Sequence, residues 1–184
     1  MKTTYKIPES VLVVIYSADL DVLLMERSSP RGFWQSVTGS KNTLDETLEH
    51  TAIREVAEET GIQIAGTDVP APNVLKSKAS ASKVPEVKIP LGNLKNWQLS
   101  NEYELYPVWR DRYAPGVMRN TEHVFGLLVP SRIAVALAAR EHVNFRWLPY
   151  QEAADQCFSP SNAEAILQLP QRTVQSARSP RSTT

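Results

Sequence analysis

The chain has 184 residues, of which 42% are hydrophobic, and its 20 basic and 20 acidic side chains give a formal net charge of zero. This length and composition are typical of one globular domain with a full core. Zero net charge argues against a globally basic nucleic-acid-binding protein, so nucleic acid is not expected as a partner.

Three short apolar segments at the start of the chain predict β-strands. Residues 10–18 and 21–27 are joined near Asp19-Leu20-Asp21, which predicts a hairpin of two buried strands. Residues 33–39, with the sequence FWQSVTG, predict a third strand that leads into a loop.

Residues 46–60 predict an amphipathic helix that ends at Gly61. One face is apolar, and Glu55, Glu58 and Glu59 fall within an arc of about 100° on another. Like charges four residues apart cost about 0.2–0.5 kcal/mol, and an anion in the last turn opposes the helix dipole by about 0.3–1 kcal/mol. A solvated face is the common explanation for such glutamates. The unfavourable local energy instead indicates that a bound cation neutralises them.

Further strands and helices are predicted after this helix. Strands that come first, one helix between them and helices that come late indicate α/β or α+β layering around a mixed sheet. We therefore expect a single domain over residues 1–170. The predicted elements are strands at 103–113, 122–130 and 143–149, a short helix at 151–156 and another helix that begins near Ser161-Asn162.

Two segments do not have the pattern of packed structure. Residues 70–92 combine four prolines with a Ser/Lys/Ala tract and show no clear period, which predicts a mobile surface insertion. Residues 171–184 are polar and basic, which predicts a disordered tail.

The loop at residues 110–123 is rich in groups suited to binding. Ala114-Pro115-Gly116-Val117 fits a type II turn, with proline fixing one dihedral angle and glycine supplying the positive one. Arg112, Tyr113, Arg119 and Glu122 surround this turn, and they suit phosphate, an aromatic ring and a metal or water.

The order of residues around the charged helix resembles the Nudix hydrolase box, G-x5-E-x7-R-E-U-x-E-E-x-G-U, where U is aliphatic. From Glu46 to Ile62 the agreement is complete. The loop from Gly39 to Glu46 is one residue longer, which we interpret as an insertion that leaves the helix register intact. The resemblance implies an α/β/α sandwich around a mixed β-sheet and metal-dependent hydrolysis of a phosphoanhydride.

The resemblance also implies roles for the charged residues. Glutamates that match Glu55, Glu58 and Glu59 hold Mg²⁺ in the family, with Mn²⁺ as a substitute, and the arginine that matches Arg54 orients a glutamate. A glutamate on a strand beyond the box can join the metal site or act as the base, and Glu122 is the candidate here. The catalytic base is therefore either Glu122 or a box glutamate such as Glu58.

Three strings together resemble one branch of the Nudix family: RYAPGVMRNTE, FWQSVTG and SPSNAEAI. This branch hydrolyses 7,8-dihydroneopterin triphosphate to the monophosphate and pyrophosphate, an early step toward folate, and the resemblance spans about residues 5–170 without the proline-rich insertion. A small-molecule triphosphate is therefore the expected substrate. The candidate substrate-binding residues are Arg119, Arg27 and Arg112 for phosphate and Trp34, Gln35, Tyr113 and Asn162 for the ring.

Two alternatives remain open at the level of sequence. Another Nudix substrate, such as a nucleoside triphosphate or a dinucleotide, would keep the metal helix and change the ring pocket. A non-catalytic module could keep the fold, although complete retention of the charged cluster argues against it. The sequence does not fix the oligomeric state.

Cysteine usage and the chain's first residues bear on the compartment. Cys157 is the one cysteine, which excludes an internal disulfide and favours a reducing cytosol. The first ten residues lack the apolar run of a signal peptide, and no stretch approaches the roughly 20 apolar residues of a membrane span. We expect a cytoplasmic protein with no membrane partner.

Overall fold

The computed structural model describes residues 5–67, 88–138 and 140–178, which form a mixed β-sheet with helices on both faces. Two short 3-10 helices, Leu91–Asn93 and Pro107–Arg112, flank one of the strands. The strands are β1 (Glu9–Ser17), β2 (Asp21–Arg27), β3 (Trp34–Gln35), β4 (Val37–Ser40), β5 (Gln63–Ala65), β6 (Lys88–Pro90), β7 (Leu94–Glu104), β8 (Arg119–Val129) and β9 (His142–Pro149), and the helices are α1 (Leu48–Thr60), α2 (Tyr150–Gln156), α3 (Pro160–Leu167) and α4 (Leu169–Arg178).

Strands β1 and β2 begin as a hairpin and then take different partners. They pair antiparallel at Tyr16 and Val22. Further along, β1 pairs with β4 and β2 pairs with β3, so the bent segment β3–β4 lies between the two hairpin strands. On its other side β1 pairs in parallel with β8, and β2 pairs antiparallel with β9. This separation of β1 from β2 brings β4 beside helix α1.

Alternating side chains of β1 contribute to two separate hydrophobic cores. Val11 and Val13 belong to the core that contains Val56 of α1. Leu12 belongs to the core on the other face, which contains Ile166 of α3 together with residues of α2 and α4. Because successive strand residues point to opposite faces, the nearly continuous apolar run of β1 fills both cores. This arrangement confirms the α/β/α sandwich.

Helix α1 has a specific cap at each end. Thr47 is the N-cap, and its side chain accepts a hydrogen bond from the His50 backbone N–H at 3.1 Å. Gly61 ends the helix in the left-handed conformation at φ 73°, which a residue with a Cβ adopts at a cost. The helix therefore ends where the sequence predicts and begins at Leu48 rather than at residue 46. No helix among the described residues is long and apolar enough to cross a membrane.

The strand predicted at residues 103–113 is wrong. Strand β7 ends at Glu104, and Pro107–Arg112 form a 3-10 helix. Strand β7 itself covers residues 94–104, most of which the sequence left unassigned. The reason is a bulge between Asn96 and Leu99, where Gln98 has a φ of 55°, so the alternation of apolar side chains is broken.

Parts of the predicted insertion and tail are regular structure. Lys88–Pro90 pairs in parallel with Gln63–Ala65 and places Ile89 in a core, so residues 88–90 are not insertion; residues 70–87 lie outside the described residues. Helix α4 continues through the predicted start of the tail to residue 178, and residues 179–184 lie outside the described residues. The Arg172 guanidinium donates to the Trp97 carbonyl at 2.9 Å, which ties this helix to β7.

We predict that Gly126→Ala lowers the free energy of unfolding by about 1–3 kcal/mol, the usual cost of overpacking a core. A Cβ at Gly126 would lie 2.5 Å from the buried Trp97 indole. Urea denaturation followed by fluorescence measures this change. Gly92→Ala is the matched control, since nothing lies within 4 Å of an added Cβ there. Equal denaturation midpoints for the two variants would contradict the predicted clash.

Candidate active site

A cleft of about 470 Å³ lies at the margin of the sheet, between the β3–β4 segment, β7, β8, the 3-10 helix Pro107–Arg112 and the start of α3. Its walls combine carboxylates, which suit a cation, with cations and aromatic rings, which suit an anionic ligand that carries a ring. These side chains are carboxylates (Glu59, Glu102, Glu104, Glu122, Glu141, Glu164), cations (Lys6, Arg27, Arg112) and aromatic rings (Tyr103, Tyr106, Trp109, Tyr113, Phe158).

Arg54 is the cation at the centre of the glutamate cluster on α1. Its guanidinium donates to Glu46 at 2.9 Å, to Glu55 at 2.6 Å and to Glu58 at 3.2 Å. A further Nη2–H donates to the Ser40 carbonyl at 2.9 Å and fixes the side chain against β4. One guanidinium is thus shared by three carboxylates. The contact with Glu46 agrees with our placing of the extra loop residue before that position.

Glu55 is packed against Gly39 of β4. A Cβ added at Gly39 would overlap the Glu55 carboxyl group, so a residue with a side chain there would displace this carboxyl. Burial raises the pKa of Glu55 to about 8, in spite of the adjacent Arg54 guanidinium. Glu58, by contrast, has a half-exposed side chain. The two glutamates therefore lie in different environments on one helix.

Glu59 is the most deeply buried carboxyl of the cluster, with 2% of its surface exposed. Burial and, after it, the charge of Glu141 raise its pKa well above the usual range. Its Oε2 has no hydrogen-bond partner among the described residues. A buried ionised carboxylate with one oxygen left unpartnered is unfavourable. This environment fits a bound cation, and carboxylate oxygens are the ligands that Mg²⁺ takes in proteins.

Glu122 enters the cleft from the opposite face of the sheet. It lies two residues before Val124 on β8, on the face that carries the second core, and it accepts a hydrogen bond from Ser161 of α3 at 3.3 Å. Burial raises its pKa to about 7. The cleft therefore receives carboxylates from both layers of the sandwich, Glu59 from α1 and Glu122 from the sheet.

The four predicted metal ligands do not form one tight group in the described part of the chain. The group whose possible ligand atoms all lie within 4.8 Å of one another consists of Glu59, Glu141 and His142. His142 begins β9 and Glu141 directly precedes it, far along the chain from Glu59. No spacing in the sequence identifies them, because the loop before β9 brings them to α1.

Five of the seven predicted substrate-binding residues line the cleft: Arg27, Gln35, Arg112, Tyr113 and Asn162. Gln35 bridges two neighbours, since it accepts from Arg27 at 3.4 Å and donates to Thr38 at 3.0 Å. Asn162 makes two hydrogen bonds to Ser36, which anchor α3 to the β3–β4 segment. Both of these Asn162 contacts are internal, so the structure indicates a positioning role for it.

The other two predicted substrate-binding residues, Trp34 and Arg119, lie outside the cleft. Trp34 is 5% exposed and packs in a core beneath the Arg146 guanidinium, 4.4 Å from its ring centroid. Arg119 has an exposed side chain paired with Glu102 at 2.6 Å. A function for either residue in binding stays a prediction.

The sequence missed most of the aromatic wall. Phe158 stacks on Phe33 with centroids 3.8 Å apart, and Tyr106 meets Trp109 edge to face at 5.2 Å. Tyr106 and Trp109 fall in the segment misread as a strand, where an apolar side chain is expected to be core. The Ala114–Val117 turn agrees with its prediction, because the Val117 N–H donates to the Ala114 carbonyl and Gly116 has a φ of 87°.

Comparison with known proteins identifies the family of this chain and several similar proteins. The NUDIX domain matches residues 6–169. The dihydroneopterin triphosphate diphosphatase of Escherichia coli K12 is 36% identical over 166 residues, which cover 90% of this chain and 93% of that protein. The Haemophilus influenzae protein of the same name is 36% identical over 163 residues, covering 88% of this chain and 87% of that protein.

Solved structures agree with this result. The E. coli dihydroneopterin triphosphate pyrophosphohydrolase superimposes with a TM-score of 0.68 at 37% identity, covering 90% of this chain and 96% of that chain. A Caenorhabditis elegans Ap4A hydrolase has a TM-score of 0.59 at 16% identity, covering 92% and 99%. The second likeness shows the fold alone.

We predict that, without metal, the protein loses stability as pH rises from about 4.5 through about 8, the ordinary and folded pKa values of Glu55. The folded state binds the Glu55 proton more tightly than the unfolded state, so ionisation favours unfolding. Glu55→Gln removes this contribution and should be more stable than the unsubstituted protein at pH 8.5 by about 1–4 kcal/mol, since one pKa unit is about 1.4 kcal/mol.

Urea unfolding in EDTA at pH 5.5 and pH 8.5 measures the difference between the two proteins. Glu49→Gln, an exposed change on the same helix, is the control. If Glu55→Gln and the unsubstituted protein keep a constant difference across this range, burial does not raise the Glu55 pKa.

Proposed function

The chain belongs to the Nudix hydrolase family, and we propose that it hydrolyses 7,8-dihydroneopterin triphosphate to dihydroneopterin monophosphate and pyrophosphate. The observation that carries this proposal is one cleft that holds buried carboxylates beside aromatic and amide side chains. Relatives that bear the name of this activity are 36% identical over 90% of the chain, which supports it further.

Mg²⁺ is the proposed cofactor, with Mn²⁺ as a substitute. Glu55, Glu58 and Glu59 of α1 would hold one or more of these ions with the triphosphate, and Glu122 from β8 would either join them or act as the base. The unpartnered Glu59 oxygen and the sharing of the single Arg54 guanidinium with Glu46, Glu55 and Glu58 support this assignment. When bound, the ion neutralises phosphate charge, polarises phosphorus and lowers the pKa of water.

The side chains of the chain itself supply orientation and proton transfer. Arg54 holds Glu55 and Glu58 in fixed positions through hydrogen bonds at 2.6 Å and 3.2 Å. Glu122 is our preferred base, because a carboxylate with a pKa of about 7 can accept a proton from water near neutral pH. A box glutamate such as Glu58 is the alternative base.

Two kinds of side chain in the cleft walls would recognise the two parts of the substrate. Arg27 and Arg112 supply positive charge for the triphosphate, and charge that moves onto the leaving pyrophosphate is stabilised in the same way. Trp109 and Tyr113 supply flat apolar surfaces for a ring. The Gln35 amide keeps one N–H and one lone pair beyond its contacts with Arg27 and Thr38, and these can hydrogen-bond to a polar edge of that ring.

We predict Mg²⁺-dependent release of pyrophosphate from dihydroneopterin triphosphate, with a higher kcat/KM than for ATP, GTP or a dinucleotide. Glu55→Gln and Glu58→Gln should each lower kcat/KM by about 100-fold, the usual effect of removing one electrostatic contributor. Glu49→Gln should retain full activity because its exposed side chain lies at the other end of α1. Preferred turnover of a nucleotide would reject the pterin substrate, and no turnover of any substrate would favour a binding module.

We predict that alanine substitutions of two arginines, which each remove one positive charge, have unequal effects on KM. Arg27→Ala should raise KM for the triphosphate substrate about tenfold, since a charge-assisted hydrogen bond contributes about 1.5–3 kcal/mol. Arg119→Ala should change KM by less than about twofold, because an exposed ion pair of this kind contributes little. Steady-state kinetics with Mg²⁺ distinguish the two. A larger effect of Arg119→Ala would instead place the triphosphate along the loop at residues 110–123.

A further inference from the structure

A second group of potential cation ligands lies beside the Nudix-box glutamates. It consists of Glu59 from the last turn of α1 and of Glu141 and His142 from the start of β9, with all three ligand atoms within 4.8 Å of one another. Glu59 and His142 are buried, each with 2% of its surface exposed, and Glu141 is exposed. The group therefore has a dry inner side and an outer side that is open to solvent.

Backbone hydrogen bonds hold this group together. The N–H groups of Ala136 and Ala138 donate to the carbonyls of Thr60 and Glu59 at 2.8 Å and 3.3 Å. These bonds satisfy carbonyls that the end of a helix leaves without partners. The His142 N–H donates to the Ala138 carbonyl at 2.9 Å. The loop before β9 is thus fixed on α1, and the three side chains meet without any rearrangement of the backbone.

The two buried members face each other at ion-pair distance, with polar atoms that lack hydrogen-bond partners. Glu59 Oε2 and His142 Nε2 are 3.2 Å apart, and neither has a hydrogen-bond partner among the described residues. Two ligands at about 2.1 Å from one ion and at a right angle are about 3.0 Å apart. The observed separation is therefore close to that of neighbouring ligands in a metal site.

The local charge also favours a cation. Glu59 and Glu141 offer ligand atoms within 4.8 Å of each other, and Glu58 precedes Glu59 on α1. Arg27 lines the same cleft as Glu59 and Glu141. With the carboxylates ionised, three negative charges face one positive charge, which leaves the group net negative.

We propose that Glu59, Glu141 and His142 form a second cation site that takes a transition-metal dication such as Mn²⁺ or Zn²⁺, with Glu59 shared with the Nudix-box site. An imidazole nitrogen suits these ions, whereas Mg²⁺ prefers oxygen ligands throughout. Glu141, on the open side, is the ligand through which the ion enters. The proposal concerns metal binding and does not depend on the identity of the organic substrate.

Mn²⁺ titration of the full chain, followed by electron paramagnetic resonance with no substrate present, tests this site. The unsubstituted protein should bind one more tightly held Mn²⁺ than Glu141→Gln or His142→Gln, or bind it at least about tenfold more tightly. Excess Mg²⁺ should displace this ion less readily than it displaces the others. Glu49→Gln and His123→Gln are the matched controls and should titrate like the unsubstituted protein.

Two further results decide the interpretation. Crystals soaked in Mn²⁺ should show anomalous density between Glu59 and His142. Superimposable titrations of the unsubstituted protein and Glu141→Gln, a change at an exposed residue, would overturn the proposal even if His142→Gln fails to fold. Anomalous density confined to Glu55, Glu58 and Glu122 would also overturn it. Neither of these two results would contradict the proposed Mg²⁺-dependent turnover, because that activity is measured separately.

Discussion

One guanidinium, that of Arg54, is hydrogen-bonded to several carboxylates, and the arrangement of the candidate site depends on this interaction. Arg54 reaches Glu46, Glu55 and Glu58 and also the Ser40 carbonyl, so it joins α1, the preceding loop and β4. A single positive charge cannot neutralise all of these groups, and burial raises the pKa of Glu55 to about 8 in spite of it. The helix end is therefore arranged for a ligand at the expense of local stability, as is common at functional sites.

The geometry of the sheet allows this charged helix to act on a cleft. Because β3 and β4 lie between β1 and β2, the backbone of Gly39 lies directly against the Glu55 carboxyl. Glu59 reaches the cleft from the α1 layer, and Glu122 reaches it from the face of β8 that packs toward α3. A continuous pairing of β1 with β2 would separate these two layers. The departure from a simple hairpin is thus what joins the two sets of carboxylates.

Local signals made α1 and the central strands predictable from sequence, whereas long-range contacts determined what was missed. The helix carries its own period and a terminal glycine, and β1 and β2 are dense apolar runs. The N-cap Thr47 was not recognised, so the helix start was placed at residue 46. Strand β7 escaped prediction because Gln98 interrupts its alternation at a bulge. Glu141 and His142 were missed for a different reason, since their meeting with Glu59 follows from how a loop packs on the end of α1. No spacing in the sequence encodes that contact.

Neighbouring residues on one strand show what sequence reasoning can and cannot assign to the cleft. Trp34 and Gln35 were both candidates for the ring pocket, yet successive strand residues point to opposite sides, so at most one of them can face it. The structure gives that position to Gln35 and places Trp34 in a core. An apolar side chain and a polar one compete for burial, and the indole gains more from the core than the amide does.

The charged helix and the cleft walls contribute differently to substrate selectivity. A C. elegans Ap4A hydrolase shares this fold at 16% identity, so the fold by itself does not identify an organic substrate. Selectivity must then come from the walls, and here those walls are built by Pro107–Arg112, by β7 and β8 and by the start of α3. These elements lie far along the chain from the Nudix box, and the spacing of their residues does not identify a ligand. Their aromatic rings nevertheless converge in one cleft, where Phe158 stacks on Phe33, and this contact fixes one wall of the cleft to the β3–β4 segment that leads into α1.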